Sequence, residues 1–200
     1  MKFNQFVAQS DFTTAFQMLV AGIPTNPDGT NFIKPVPENI SCPAFISQEQ
    51  PFIDTQSTYT FEFGTNAPAP SATLNNIILG QNNAMVVTGF QILLGYGANV
   101  ADRTYYSRGF TAADNSIYNA IGSMVLESNN PVQKMDMQQF YEEGDFINQS
   151  GFVPIKPLRV LTGLISRWQF VITFPQPIAA LTLSSNLFIR VKPWGAIGFA

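Results

Sequence analysis

Three features of the sequence predict an all-β fold, an antiparallel β-sandwich of about eight strands. The segment SRWQFVITFP, residues 166–175, alternates: Trp168, Phe170, Ile172 and Phe174 share one face, and Arg167, Gln169, Val171 and Thr173 share the other. Successive side chains of a strand point to opposite faces, so this is the pattern of a half-buried strand. From residue 57 onward such segments follow one another at short intervals, separated by Gly, Pro and Asn turn signals. That spacing fits a sandwich or closed barrel, not βαβ units.

The elements are predicted in order as follows. Residues 1–22 carry the helical periodicity: Phe3, Phe6 and Val7, then Phe12, Ala15, Phe16, Leu19 and Val20. The two groups fall on different sides of one continuous helix, so a break is expected at Gln9–Asp11, with Ser10 or Asp11 capping a second helix and Gly22 and Pro24 ending it. Residues 23–56 read as an extended arm, because Pro24, Pro27, Pro35, Pro37, Pro43 and Pro51 resist helix and withhold ladder donors. Phe32, Ile33, Phe45, Ile46, Phe52 and Ile53 make the arm too apolar for a solvated tether, so it is expected to lie along a surface.

Residues 57–200 form the sandwich domain. Its expected strands are 57–63, 74–80, 84–97, a weak one at 103–108, 117–128, 132–137, 153–161, 166–174 and 187–200. In the longest, AMVVTGFQILLGYG, the even positions Val86, Thr88, Phe90, Ile92, Leu94 and Tyr96 are the more apolar face, and Gly89, Gly95 and Gly97 suggest bulges or a bend. Residues 138–151 read as loop or short helix.

Composition narrows the function. Charged residues are 12% of the chain, about half the share usual in soluble domains, while 16 Asn and 14 Gln outnumber them. Such a surface suits coverage by other protein better than life as a free monomer. The ten basic residues are scattered singly and the net charge is −3, which leaves no basic stripe for direct nucleic-acid binding. The lone Cys42 cannot form an internal disulfide. No signal peptide and no 18-residue apolar run is seen, so folding in a cytoplasm is expected.

Chemistry is sparse. Histidine is absent, which removes the His-based catalytic arrangements and most zinc sites. No glycine-rich phosphate loop precedes a helix, and no cofactor is expected. Glu142, Glu143 and Asp145 in YEEGDF are weak candidates for a hard cation or, facing each other across a cleft, for glycoside hydrolysis. A solvated acidic turn is the simpler reading, and no enzyme activity is expected. Tyr105, Tyr106 and Trp194 are candidates for a sugar-binding platform or for interface anchors, whereas Trp168 is expected in the core.

The helical lead DFTTAFQMLVAG, the Pro-rich arm and the eight or so short strands after it resemble a single jelly-roll virion protein of a virus or bacteriophage. The resemblance implies a capsid or coat subunit whose β-sandwich is of the jelly-roll type. Its partners would be copies of itself and other virion proteins, and it would be assembled in the host cytoplasm. Phe3, Phe6, Phe12, Phe16, Leu19, Phe32, Phe45 and Phe52 are then the assembly-interface candidates. The arm lacks the basic residues that many small coats direct at the genome. With Lys2 as its one early cation, protein contact is favoured over an internal membrane. The alternative classes are a glycan- or receptor-binding module, such as a spike or fibre head, and, less favoured, a carboxylate-dependent glycosidase.

Overall fold

The computed structural model describes residues 40–53, 55–63, 84–125, 131–142, 152–162, 169–175 and 184–198. The helical lead, most of the arm and the strand expected at 74–80 lie outside these residues. The described chain forms ten strands: β1 Ile40–Phe45, β2 Gln48–Pro51, β3 Thr58–Glu62, β4 Ala84–Tyr96, β5 Thr104–Tyr106, β6 Ile121–Val125, β7 Pro131–Asp136, β8 Phe152–Thr162, β9 Gln169–Thr173 and β10 Leu187–Gly198. A short helix, α1, spans Gln138–Glu142, and 3₁₀ turns occupy Val100–Asp102 and Asp114–Asn119.

All strand pairs are antiparallel, and they make two sheets. In the larger sheet β10 and β4 are central. β1 and β2 pair successively along one side of β10, and β8 and β5 pair along the far side of β4. The smaller sheet runs β3-β9-β6-β7. Taking β1 with β2 as one interrupted edge, and β5 as a short extension beside β8, the architecture has eight strand positions. Residues 40–51 of the predicted arm are therefore the edge of the larger sheet, and the sandwich begins before residue 57.

The inner faces meet in one core. Phe61 on β3 and Phe170 on β9 are opposite neighbours, and Phe170 touches Phe90 of β4 with ring centroids 4.8 Å apart. Phe170, Ile172 and Phe174 are all buried, as the alternation predicts, while Trp168 is outside the described residues. Each fully buried large apolar side chain contributes about 1.5–3 kcal/mol, and these aromatics share the core with aliphatic residues such as Ile92, Leu94, Ile172 and Ile189. Phe52, expected at an assembly interface, packs inward instead. It stacks on Phe174 at 5.8 Å and leans on Tyr59 at 5.5 Å. The Tyr59 hydroxyl donates to Ile53 O and accepts from Ile53 N, clasping the turn that joins the two sheets.

The facing of β4 departs from the even-position reading for a physical reason. The pairing register shifts between Val87 and Gly89, so a bulge interrupts the alternation. Phe90, Ile92 and Leu94 face the core as expected, but before the bulge it is Met85 and Val87 that do so, with Val86 on the opposite side. The β10 ladder meets the same bulge from the other side, since Trp194 pairs with Gly89 and Gly195 with Val87, which leaves Thr88 as the extra residue. There the strands approach so closely that a Cβ on Gly195 would lie 1.7 Å from Val86 O. The strand expected from residue 117 starts later, because residues 114–119 wind into the 3₁₀ turn.

Candidate functional site

Consecutive strand positions run in opposite directions, so alternate connections emerge at the same end. Segments 52–57, 97–120, 137–142 and 184–186 meet there. Gly97 N donates to Asn186 O at 3.4 Å, Phe52 N to Leu187 O at 2.9 Å, and Arg108 Nη2 to Tyr141 O at 3.3 Å.

Asp114, fully buried, is the hub of this end. Its Oδ1 accepts from Ser184 N at 2.9 Å, and its Oδ2 accepts from Ser184 Oγ at 2.7 Å, Tyr96 Oη at 3.0 Å and Thr111 N at 3.3 Å. Asp114 N in turn donates to Thr111 Oγ1, which starts the 3₁₀ turn. Burial by itself would raise the pKa of this carboxyl, but the bonds from Ser184, Tyr96 and Thr111 outweigh it and hold the pKa below the usual value. Asn115 closes the loop around Gly109, accepting from Gly109 N at 2.7 Å and donating to Gly109 O and Thr111 O. A Cβ at Gly109 would meet the Asp114 Cβ at 2.5 Å, so this turn needs glycine for space.

Beside the hub lies an open groove of about 440 Å³, between the 110–119 loop and α1. Its aromatic wall is Phe110, 63% exposed, whose inner side stacks on Tyr96 with ring centroids 4.1 Å apart and 16° between planes. Tyr106 supports Phe110 from the side at 4.9 Å. Tyr118 and Tyr141 line the groove further along, 5.3 Å from each other. Tyr118 is anchored through its hydroxyl to Ser107 O, and burial pushes its pKa up. The polar lining is neutral: Thr111, Asn115, Ser116, Asn119 and Gln138.

A second polar cluster sits on the outward face of the larger sheet, where Glu49 of β2 faces Arg190 of β10. Its carboxylate takes Arg103 Nη1, Arg190 Nε at 3.2 Å and Tyr105 Oη at 2.6 Å. Arg190 also donates to the Tyr105 hydroxyl. The guanidinium of Arg103 lies 3.4 Å from the Phe188 ring centroid, and that of Arg190 lies 3.5 Å from the Tyr105 ring. Burial pulls both arginine pKa values down. Next along β10, Lys192 lies over the Trp194 ring at 4.9 Å, and burial followed by the Arg190 charge lowers its pKa to about 8. These groups satisfy one another, so the cluster is a fastening between strands.

The residues singled out in the sequence fall mostly elsewhere. Trp194 is buried and its indole N–H donates to Gln91 Oε1 at 3.1 Å, so its ring is no surface platform. Tyr105 belongs to the Glu49 cluster, and Tyr106 only buttresses Phe110. Glu142 ends α1 with its side chain outside the described residues, as are Glu143 and Asp145 altogether. Phe3, Phe6, Phe12, Phe16, Leu19 and Phe32 also lie outside them, and of Phe45 the structure describes only the backbone, in β1. Phe110, Asn119 and Gln138 escaped the sequence reading. The available signal was a large aromatic directly after Gly109 in a turn-rich stretch, where no strand or helix face accounts for it.

Among the described residues no helix is long and apolar enough to cross a membrane. No protein-family model matches the chain. No curated protein matches it either.

Proposed function

We propose that the chain is a structural virion subunit, a single jelly-roll tile that assembles with copies of itself and with other virion proteins. The observation that carries this reading is the strand order. Numbering the eight positions along the chain, the first pairs with the eighth (β1/β2 with β10), the second with the seventh (β3 with β9), the third with the sixth (β4 with β8) and the fourth with the fifth (β6 with β7). That is one long antiparallel ribbon. Wrapping the ribbon brings the eighth position beside the third and the seventh beside the fourth, the pairings β10-β4 and β9-β6. A ribbon wound in this way supports the jelly-roll reading, a design shared by capsid subunits and lectin domains.

Composition favours the capsid branch. A rigid sandwich with few charges and many Asn and Gln side chains supplies a tile whose flanks other protein can cover without burying unpaired charge. Many copies of a modest contact, closed by symmetry, then give a stable shell or ring. The Phe-rich segment 1–22 is the assembly arm in this reading. The test is mass by light scattering over a concentration series, with negative-stain images of each fraction, on the full chain and on a chain lacking residues 1–22. The full chain is expected to form rings or shells, and the truncated one to keep its β circular-dichroism signature without assembling. A full chain that stays monomeric at every concentration overturns the subunit reading, and particles from the truncated chain overturn the role of the arm.

A further inference from the structure

We propose that the groove between the 110–119 loop and α1 is a binding site for a short, uncharged saccharide. Its volume of about 440 Å³ lies within the about 300–1,000 Å³ usual for small-ligand sites. The ligand class follows from the lining. A pyranose offers an apolar face of C–H groups and a rim of hydroxyls, each both donor and acceptor. Phe110 meets the first requirement: one side of its ring is pinned on Tyr96, and the side chain remains 63% exposed. A pinned ring loses little rotamer freedom when a sugar stacks on it.

The second requirement is met by side chains with both donors and acceptors. Asn119 and Gln138 carry amides of this kind, and neither side chain makes a hydrogen bond among the described residues. Asn115, by contrast, is already committed to Gly109 and Thr111 and acts as a strut. Ser116 gives an independent sign. It lines the groove, is only 6% exposed, and its Oγ has no hydrogen-bond partner. A buried hydroxyl without a partner is destabilising, and a ligand hydroxyl entering the groove would satisfy it.

Charge decides between ligand families. Neither acid nor base is among the lining residues. The nearby Asp114 carboxylate is fully engaged by Ser184, Tyr96 and Thr111, and the Arg108 guanidinium stacks against Tyr141, 4.6 Å from the ring centroid. A phosphate, sulfate or sialic acid would find no cation in the lining itself, and the nearest one, Arg108, is held behind Tyr141 by its ring contact and its bond to Tyr141 O, so neutral sugars suit the groove better. This inference does not rest on the assembly reading, since a monomer can hold a sugar and a shell need not.

The experiment is a glycan array of neutral and acidic glycans probed with the full chain, followed by saturation-transfer NMR with the methyl glycosides of glucose, galactose, mannose and N-acetylglucosamine. Binding to at least one neutral saccharide is expected, weakened at least about tenfold by Phe110→Ala and also by Asn119→Ala or Gln138→Ala. Phe110 and Asn119 are exposed, so Phe110→Ala and Asn119→Ala should stay folded, as a cooperative thermal melt would show. No neutral ligand on either assay, binding indifferent to Phe110→Ala, or a preference for the acidic glycans overturns the proposal.

Discussion

Replacing Asp114 offers the sharpest check on how the loop end is held. Asp114→Ala leaves four donors without their acceptor: Ser184 N and Oγ, Tyr96 Oη and Thr111 N. A buried donor left unsatisfied costs about 1–3 kcal/mol, but Ser184 is partly exposed and water can serve its hydroxyl, while the desolvation cost of the carboxylate disappears. A net loss of about 3 kcal/mol follows, which for a chain of this size lowers Tm by roughly 6–12 °C. Asp114→Asn should cost about half as much. Its carbonyl can take Ser184 N and its amide can donate to the two hydroxyls, but it then confronts the N–H of Thr111. The pH dependence has a definite sign. The folded pKa of Asp114 lies below the unfolded one, so its contribution is complete above about pH 4 and is lost as pH falls through the lower folded value. Thermal melts of wild type and Asp114→Ala should therefore differ by a constant amount from pH 7 to 5 and draw closer as pH falls below 4. Equal Tm values at pH 7, or a gap that widens in acid, would refute the hub.

Three further substitutions probe other parts of the frame. Glu49→Gln leaves Arg103 and Arg190 buried beside a neutral amide and should cost about 3–5 kcal/mol in chemical denaturation, whereas a loss under 1 kcal/mol would mean that water already reaches the cluster. Gly195→Ala drives a Cβ into Val86 O across the β10-β4 ladder and should destabilise by about 3 kcal/mol or abolish soluble expression, while a native-like melt would show that the two strands separate easily at the bulge. Lys192→Met removes a half-buried cation whose pKa has fallen to about 8, so the variant should gain about 1 kcal/mol at pH 7 and lose that gain as pH rises from 8 toward 10.5, above which wild-type Lys192 is neutral in both states. A gain that persists undiminished above pH 10.5 would point to packing in place of charge.

Much of the sandwich was legible because alternation is a local signal. Residues 58–62, 84–96 and 169–173 announce their faces through side chains two apart, and the structure places them as strands. What could not be read locally was pairing. Pro43 and Pro51 suggested an arm, yet both sit in edge segments, where a missing N–H costs no ladder bond on the open side. The facing of Val86 was misjudged because a bulge is a property of two strands, and one strand alone does not reveal where its partner shifts. The candidate groove was less legible still. Phe110 and Asn119 are close in sequence, but Gln138 and Tyr141 join them only through the docking of α1, and Trp194 reads as a surface anchor until Gln91, more than a hundred residues away, takes its N–H.

The place of β10 in the larger sheet has a consequence for the order of events in the cell. It is the last strand of the sandwich in chain order, yet it lies at the centre of the sheet, holding β1 and β2 on one side and β4 on the other. Until residues 187–198 have been synthesised, β1 and β2 have no neighbour, and β4 is left with an open edge rich in Val, Ile and Leu. Pairing over such long loops is slow, and exposed edges of this kind invite the wrong neighbour. A chain caught at that stage, with β4 unpaired on one side, is a natural client for a chaperone, and pairing of β10 is the step that closes the larger sheet.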